Sequence, residues 1–322
     1  MNRLRFILRD LQETALVLAD LHGRMSLNPG DDVLRVNAET VAKRGRDLEM
    51  QLTRELREQQ LDLIQYRIEQ RHGDPIPAAG LTSAVLLFQR IITSIFDAVR
   101  DRPKQIYSPS AENVALSSMT VASAKMIAPT ELTLAIPNDR LLALQSELDL
   151  TFDAALRLLQ SHTTDAIKEL AARIGVSAVS QAYRWAENAV EHRLVTAIRW
   201  QRSADQPVGV VVTADEAFLL QRTIASSSIE RLADFETELE LIALDEIART
   251  FTGLSAQGQL TGTLDLGFPR GERWVTYKRY AATLSRLTRI RCADGQEEIY
   301  WTLRQLNQNG SSPGSAGEAA TV

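Results

Sequence analysis

Glu236-Thr237-Glu238-Leu239-Glu240-Leu241 sets three carboxylates in alternation with Thr237, Leu239 and Leu241. In a strand, successive side chains point to opposite faces, so this spacing gives one acidic face and one mostly apolar face. The wider segment 229–248 is ambiguous between helix and strand, and the alternation favours an exposed strand. Downstream, 249–254, 259–266, 273–278, 287–292 and 299–306 are all strand-like, and 279–286 reads as a short helix. Glycine-bearing turns stand between several of them, at Gln257-Gly258, Gly267 to Gly271 and Asp294-Gly295. Several short strands with one interposed helix predict a small closed β-barrel of OB or SH3 type over 229–306. The remainder, 307–322, is rich in Gly, Ser, Ala and Asn and is expected to be a disordered tail.

Upstream the pattern changes to helical spacing. Leu4, Leu8, Leu11, Ala15 and Leu18 recur every three or four residues, which predicts an amphipathic helix over 2–21. A longer helix is expected over 38–70. Its apolar seam runs through Val41, Leu48, Leu52, Leu56, Leu63 or Ile64, and Ile68, with charges of both signs on the other face. That seam, with Leu48, Leu52, Leu56 and Leu63 at its centre, either packs within the chain or meets a protein partner or second copy as a coiled coil. Gly73-Asp74-Pro75-Ile76-Pro77 stops any helix, which predicts a boundary near 78.

Residues 81–101 read as a helix apolar on most of its surface. Strands are expected over 113–122 and 131–136, helices over 139–160, 164–174 and 176–192, and strands over 194–200 and 208–212. Thr213 to Glu216 is a capping box opening a further helix. The fold class is therefore α+β: a helical N-terminal arm (1–78), a mixed α+β central domain (79–228), and the barrel.

Composition excludes several classes. The chain has 322 residues, a net charge of -5 and one cysteine, so no internal disulfide is possible and a reducing compartment fits. Cys292 reads as a structural thiol. No run approaches the roughly 20 apolar residues of a membrane span, so a soluble, cytoplasmic protein without membrane attachment is expected. There is no phosphate-binding P-loop, Gly-x-Gly-x-x-Gly, His-Glu-x-x-His, Cys-x-x-Cys or Gly-x-Ser-x-Gly. No cofactor, metal site or catalytic residue is expected. The four histidines, His22, His72, His162 and His192, are scattered near helix ends. Asp149 and Asp153 lie four apart on a helix, where a solvated face complementing the helix dipole is the plain reading.

Charge segregation is the strongest positive signal. Between Ser228 and Ala248 stand seven acids and one arginine; between Arg270 and Arg291 stand seven bases and one acid. Trp274, Tyr277 and Tyr280 are interleaved with the bases. Cations beside aromatic faces on a small barrel suit single-stranded nucleic acid, with Arg273, Trp274, Tyr277, Lys278, Arg279, Arg289 and Arg291 as candidate contacts. The preferred alternative is that the acidic stretch pairs with the basic one across the same sheet.

Three stretches, Ala84-Val85-Leu86-Leu87-Phe88-Gln89, Glu131-Leu132-Thr133-Leu134-Ala135-Ile136 and Gln259-Leu260-Thr261-Gly262-Thr263-Leu264, resemble a loose group of uncharacterised bacterial proteins from mobile-element and defence gene neighbourhoods. The resemblance covers about 80–306 and brings no catalytic residues. It implies a subunit of a defence-related assembly. The sequence thus leads to a non-enzymatic interaction or scaffold subunit, with a nucleic-acid-binding barrel as the alternative and a metal-dependent nuclease as the third reading.

Overall fold

The computed structural model describes residues 2–70, 75–126, 129–138, 146–201, 208–269 and 271–308. The chain forms two compact units, Met1–Ser227 with Cys292–Gly295, and Ser228–Arg291 with the chain from Gln296 onward. Parts of the expected linker and of the 139–160 helix, Arg270, His72 and the tail beyond Gln308 lie outside the described residues.

The first unit opens with two helices, α1 (Asn2–Leu27) and α2 (Asp32–Gln59), separated by a turn in which Asp31 caps α2. Then come β1 (Leu61–Gln70), α3 (Ala78–Arg100), α4 (Ala111–Ser117), β2 (Thr120–Lys125), β3 (Thr130–Pro137), α5 (Glu147–Leu159), α6 (Thr164–Ile174), α7 (Val176–Glu191), β4 (Leu194–Gln201), β5 (Val208–Val212) and α8 (Ala214–Ala225). The five strands form one sheet in the order β2-β3-β1-β4-β5, and every pair in it is antiparallel.

Two expectations need correction. The 38–70 helix ends at Gln59. Gln60 turns into the left-handed region (φ 53°, ψ 51°), and its N–H caps the carbonyls of Arg57 and Leu56. From there the period is two. Ile64, Tyr66 and Ile68 are buried on one face, while Gln65 and Arg67 are exposed on the other. This strand is central in the sheet, bonded to β3 on one side and β4 on the other. The first 78 residues are therefore not a purely helical arm. The expected strand over 113–122 begins only at Thr120, because Ser110 Oγ accepts from Asn113 N (3.1 Å) and opens α4.

Each sheet face has its own core. On one, Tyr66 meets Phe88 of α3, and Trp200 of β4 stacks on Phe152 of α5 at 4.6 Å. Trp185 Nε1 of α7 donates to Tyr66 Oη (2.9 Å), and Trp200 Nε1 to the buried Asp62 (3.0 Å). On the other, Leu4, Ile7 and Leu8 of α1 and Leu52 and Leu56 of α2 close over Leu63, Ala122 and Ala135. Among the described residues, α3 alone is long and apolar enough to cross a membrane. Phe88, Ile91, Ile92 and Ile95 of that helix are fully buried in the protein. Gly175 joins α6 to α7 at φ +88°, where a Cβ would also meet Lys104 O at 2.5 Å.

The second unit contains β6 (Ser228–Asp245), β7 (Thr250–Ser255), β8 (Gly258–Leu264), β9 (Lys278–Arg291) and β10 (Glu297–Gln308). They close a barrel in the order β10-β8-β7-β6-β9. The β8–β10 pair is parallel, and the others are antiparallel. The short helix expected over 279–286 is part of the continuous strand β9, and 273–277 is a loop and turn rather than a strand. A run such as Arg286 to Arg291 has little helical preference once fourteen consecutive residues of β6 lie in register beside it. Asn307 and Gln308, expected in the tail, extend β10.

Closure of the barrel relies on Gly262. A Cβ there would overlap Trp301 O on β10 and lie 2.9 Å from the Phe251 ring. Gly262→Ala is expected to lower barrel stability by roughly 1–3 kcal/mol, read as an earlier denaturant midpoint. An unchanged midpoint would show that the β8–β10 seam tolerates the added methyl.

Candidate interaction surface on the barrel

The cations singled out in the sequence are largely engaged within the barrel. Glu230 stands opposite Arg289, and Glu240 opposite Arg279, in the β6–β9 register. Arg289 donates through Nε (3.0 Å) and Nη2 (2.8 Å) to Glu230 Oε1, and its guanidinium lies 5.7 Å from the Tyr300 ring. Arg279 is 3.7 Å from Glu240, and Arg291 Nη2 donates to Gln296 Oε1 at 2.7 Å. Arg304, which the sequence reading missed, pairs with Asp234 at 3.0 Å. Two ion pairs, Glu230–Arg289 and Glu240–Arg279, thus join the acidic and basic stretches across one sheet.

Trp274 does not offer a stacking face. Its ring packs against Phe268 (5.7 Å) and Tyr280 (5.5 Å) at the edge of the barrel core. Arg273, Tyr277 and Lys278 remain exposed on and beside the turn that leads into β9. Tyr277 has φ 60° and donates its N–H to Leu241 O (2.6 Å). The strand expected over 273–278 does not form: 273–277 precede β9, and Lys278 is its first residue.

Leu48, Leu52, Leu56 and Leu63 are all buried in the chain's own first unit, at 7%, 5%, 1% and 1% exposure. Of the two readings of the seam, packing within the chain is the one realised. Side chains so enclosed are not available to a partner without unfolding.

A different feature emerges on the barrel unit. Before β7 joins, β6, β9 and the start of β10 form a three-stranded ribbon. Leu232, Leu287 and Tyr300 lie directly opposite one another across it and so share a face. Leu232 is 65% and Tyr300 46% exposed. The Glu230–Arg289 pair flanks this apolar file on one side, and Asp234 with Arg304 flanks it on the other. Tyr300 Oη donates to Glu298 at 2.9 Å, which raises the phenol's pKa and fixes the ring. An apolar centre rimmed by satisfied polar groups is the anatomy of a protein-binding patch. Reading β9 as one strand opposite the 228–241 alternation would have revealed it in the sequence.

A cleft of about 1210 Å³ lies in the first unit between the α1–α2 pair and the open sheet face, lined in part by Gln12, Arg46, Gln65, Arg67 and Arg199. Its lining includes no His, Cys or Ser, and Arg67 is paired with Glu69 at 3.0 Å. Asp149 is part of the α5 capping box, with Oδ2 accepting from Ser146 N. Cys292 is buried, and burial pushes its thiol up to about 11, so it is a poor nucleophile at neutral pH. Among the described residues no group of three or more His, Cys, Asp or Glu could hold a metal ion.

Comparison with protein-family models, curated proteins and solved structures returns no match.

Proposed function

We propose that this protein is a non-enzymatic interaction subunit of a bacterial multi-protein assembly, with defence systems as the setting its sequence resembles. The barrel ribbon is its docking surface. The observation that carries this reading is the Leu232–Leu287–Tyr300 file, exposed at Leu232 and Tyr300 and half-buried at Leu287, between ion pairs. We assign the barrel to the OB type. In its own strand numbering the ring runs 1-2-3-5-4, with strands three and five parallel, a Greek-key closure of that class. The test is affinity purification from cells that express the protein. Leu287→Asp with Tyr300→Asp is expected to release the specific co-purifying partner while the barrel stays folded by circular dichroism. Retention of every partner by that variant would remove the ribbon from the interface.

Nucleic acid binding is the second reading, favoured by the exposed Arg273, Tyr277 and Lys278. Against it, β7 and β8, the strands whose outer face binds oligonucleotides in OB barrels, carry no charged residue. Without cations there is little counterion release to drive binding. Titration with labelled single-stranded and duplex oligonucleotides at low and moderate salt is expected to show no salt-sensitive complex. Tight binding that weakens with salt, and is lost in Arg273→Glu with Lys278→Glu, would reverse the ranking.

A further inference from the structure

α1 and α2 run antiparallel as a helical hairpin, with Arg3 3.3 Å from Glu55 and Arg44 3.6 Å from Asp10. Each helix carries a stripe at heptad spacing. On α1 it passes through Leu4, Leu8 and Leu11 and continues at Ala15, Leu18, His22 and Met25. On α2 it runs from Leu34 through Ala38, Val41 and Gly45 to Leu48 and Leu52. Alternating steps of three and four keep such residues on one side of a helix. The sheet covers only one half of this hairpin. Leu4, Leu8 and Leu52 are buried over Leu63 and Ala135. Among the described residues over 15–47, Ala38 alone is buried, although ten Leu, Val and Met side chains stand there. Leu18, Met25, Leu34 and Val41 are half-buried, because a stripe that faces one other helix is closed on one side only. In water a helix draws most of its stability from covering its apolar side. The outer half of the hairpin thus lacks the layer that the sheet supplies to the other half.

Its charges point to what supplies that layer. No stripe residue is Asp, Glu, Lys or Arg. Residues 15–47 hold five acids and five bases, and Asp20 with Arg24 and Asp32 with Arg35 pair along their own helices at 2.9 Å each. Nucleic acid or an anionic membrane calls for an excess of cations. A partner chosen by opposite charge needs a net charge to read. An uncharged apolar stripe in a neutral surround is complementary to itself, as an isologous contact requires.

We propose that the outer half of the α1–α2 hairpin is a dimer contact, in which two copies of the chain pair their uncharged stripes about a twofold axis and close a four-helix bundle. Leu18, Met25, Leu34 and Val41 of both copies form its core, and the small Ala15, Ala38 and Gly45 let the backbones approach. Ala15 to Leu27 spans about 20 Å, and two helices side by side are about 20 Å wide. Two such faces bury on the order of 1,000 Å² in total, the area a specific interface needs. This contact is separate from the barrel ribbon. A homodimer carries two ribbons, so a partner with two matching sites is held by both at once.

Sedimentation velocity of the full-length protein over a series of concentrations is expected to show monomer giving way to dimer, with a melting temperature that rises with concentration. Ala15→Glu with His22→Glu places two charges on the stripe at positions exposed in the single chain. The variant should keep its helical circular dichroism and raise the dimer dissociation constant about a hundredfold or more, since each charge is buried unpaired in the bundle. Leu287→Asp with Tyr300→Asp, on the barrel, should leave the dimer intact. Hydrogen exchange of the wild type is independent of any variant's folding: amides over 15–27 and 33–45 should exchange more slowly as the dimer fills. A wild-type protein that stays monomeric at the highest concentration would overturn the proposal. So would a dimer without that protection, a dimer that survives Ala15→Glu with His22→Glu, or one that dissociates in the Leu287 and Tyr300 variant, each of which puts the contact elsewhere.

Discussion

Leu52→Asp is expected to lower the melting temperature of the first unit by about 10 °C or more and to leave the protein's oligomeric mass unchanged. Leu52 is 5% exposed, and it packs with Leu4, Ile7, Leu8 and Leu56 over Leu63 and Ala135. The substitution removes the buried leucine contacts, a loss of roughly 2–5 kcal/mol for a truncation, and adds an unpaired carboxylate that must be desolvated or protonated. In a unit of this size each kcal/mol moves the midpoint by about 2–4 °C. Leu52→Met keeps the volume and should cost under about 1.5 kcal/mol. Circular dichroism melts of the two variants, with light scattering for mass, make the comparison. A wild-type melt for Leu52→Asp would mean that the α1–α2 pair does not hold the sheet face. A change in mass without a change in melt would return the seam to the role of an intermolecular contact.

The second large effect concerns Asp97 on α3, which is 2% exposed. Lys104 Nζ lies 2.6 Å from it, Asn113 Nδ2 donates to it at 2.8 Å, and Ser110 N donates at 3.3 Å. Burial by itself would raise the carboxyl's pKa. The hydrogen bonds from Lys104, Asn113 and Ser110, with the Lys104 charge, outweigh it and hold the group below its ordinary value. A depressed folded-state pKa contributes stability that is present above the unfolded value, about 3.9, and is lost as pH falls through the folded value. Asp97→Asn should therefore destabilise the first unit by about 3 kcal/mol at neutral pH, since it leaves the Lys104 charge without its closest counter-ion. The gap to wild type should narrow below about pH 4. Denaturant midpoints of both proteins at neutral and acid pH check the sign. A gap that is constant with pH would show that Asp97 contributes by packing and hydrogen bonding alone.

Much of the local structure was legible from the residues. Thr213 to Glu216 closes a capping box as expected, with Thr213 N donating to Glu216 Oε2 at 2.8 Å. Gly175 ends α6, and the Glu236–Leu241 alternation is a strand. Leu132, Leu134 and Ile136 share a buried face, as their spacing required. The cap and the glycine stop depend on interactions within a few residues, and the two strands were legible because their residues carry a period of two.

The errors fall where two local patterns were both acceptable. Leu63, Ile64 and Ile68 satisfy a helical seam, yet Ile64, Tyr66 and Ile68 also satisfy a strand. β3 and β4 decided the matter by offering hydrogen bonds on both sides, and neither is near β1 in the chain. The same holds for the candidate site. Composition alone established that acidic and basic stretches share the last third of the chain. Only the β6–β9 register placed Glu230 against Arg289 and Glu240 against Arg279, and so turned an apparent basic groove into an internally paired sheet. Trp274 is interleaved with cations in sequence, but the barrel core drew its ring inward because Phe268 and Tyr280 form an apolar contact for it there. Local propensity determined helix or strand only where a single period fitted the residues, which excludes Leu61–Gln70 and 279–286. Burial and strand pairing between distant segments decided which face each residue presents, because those free energies do not exist until the partners meet.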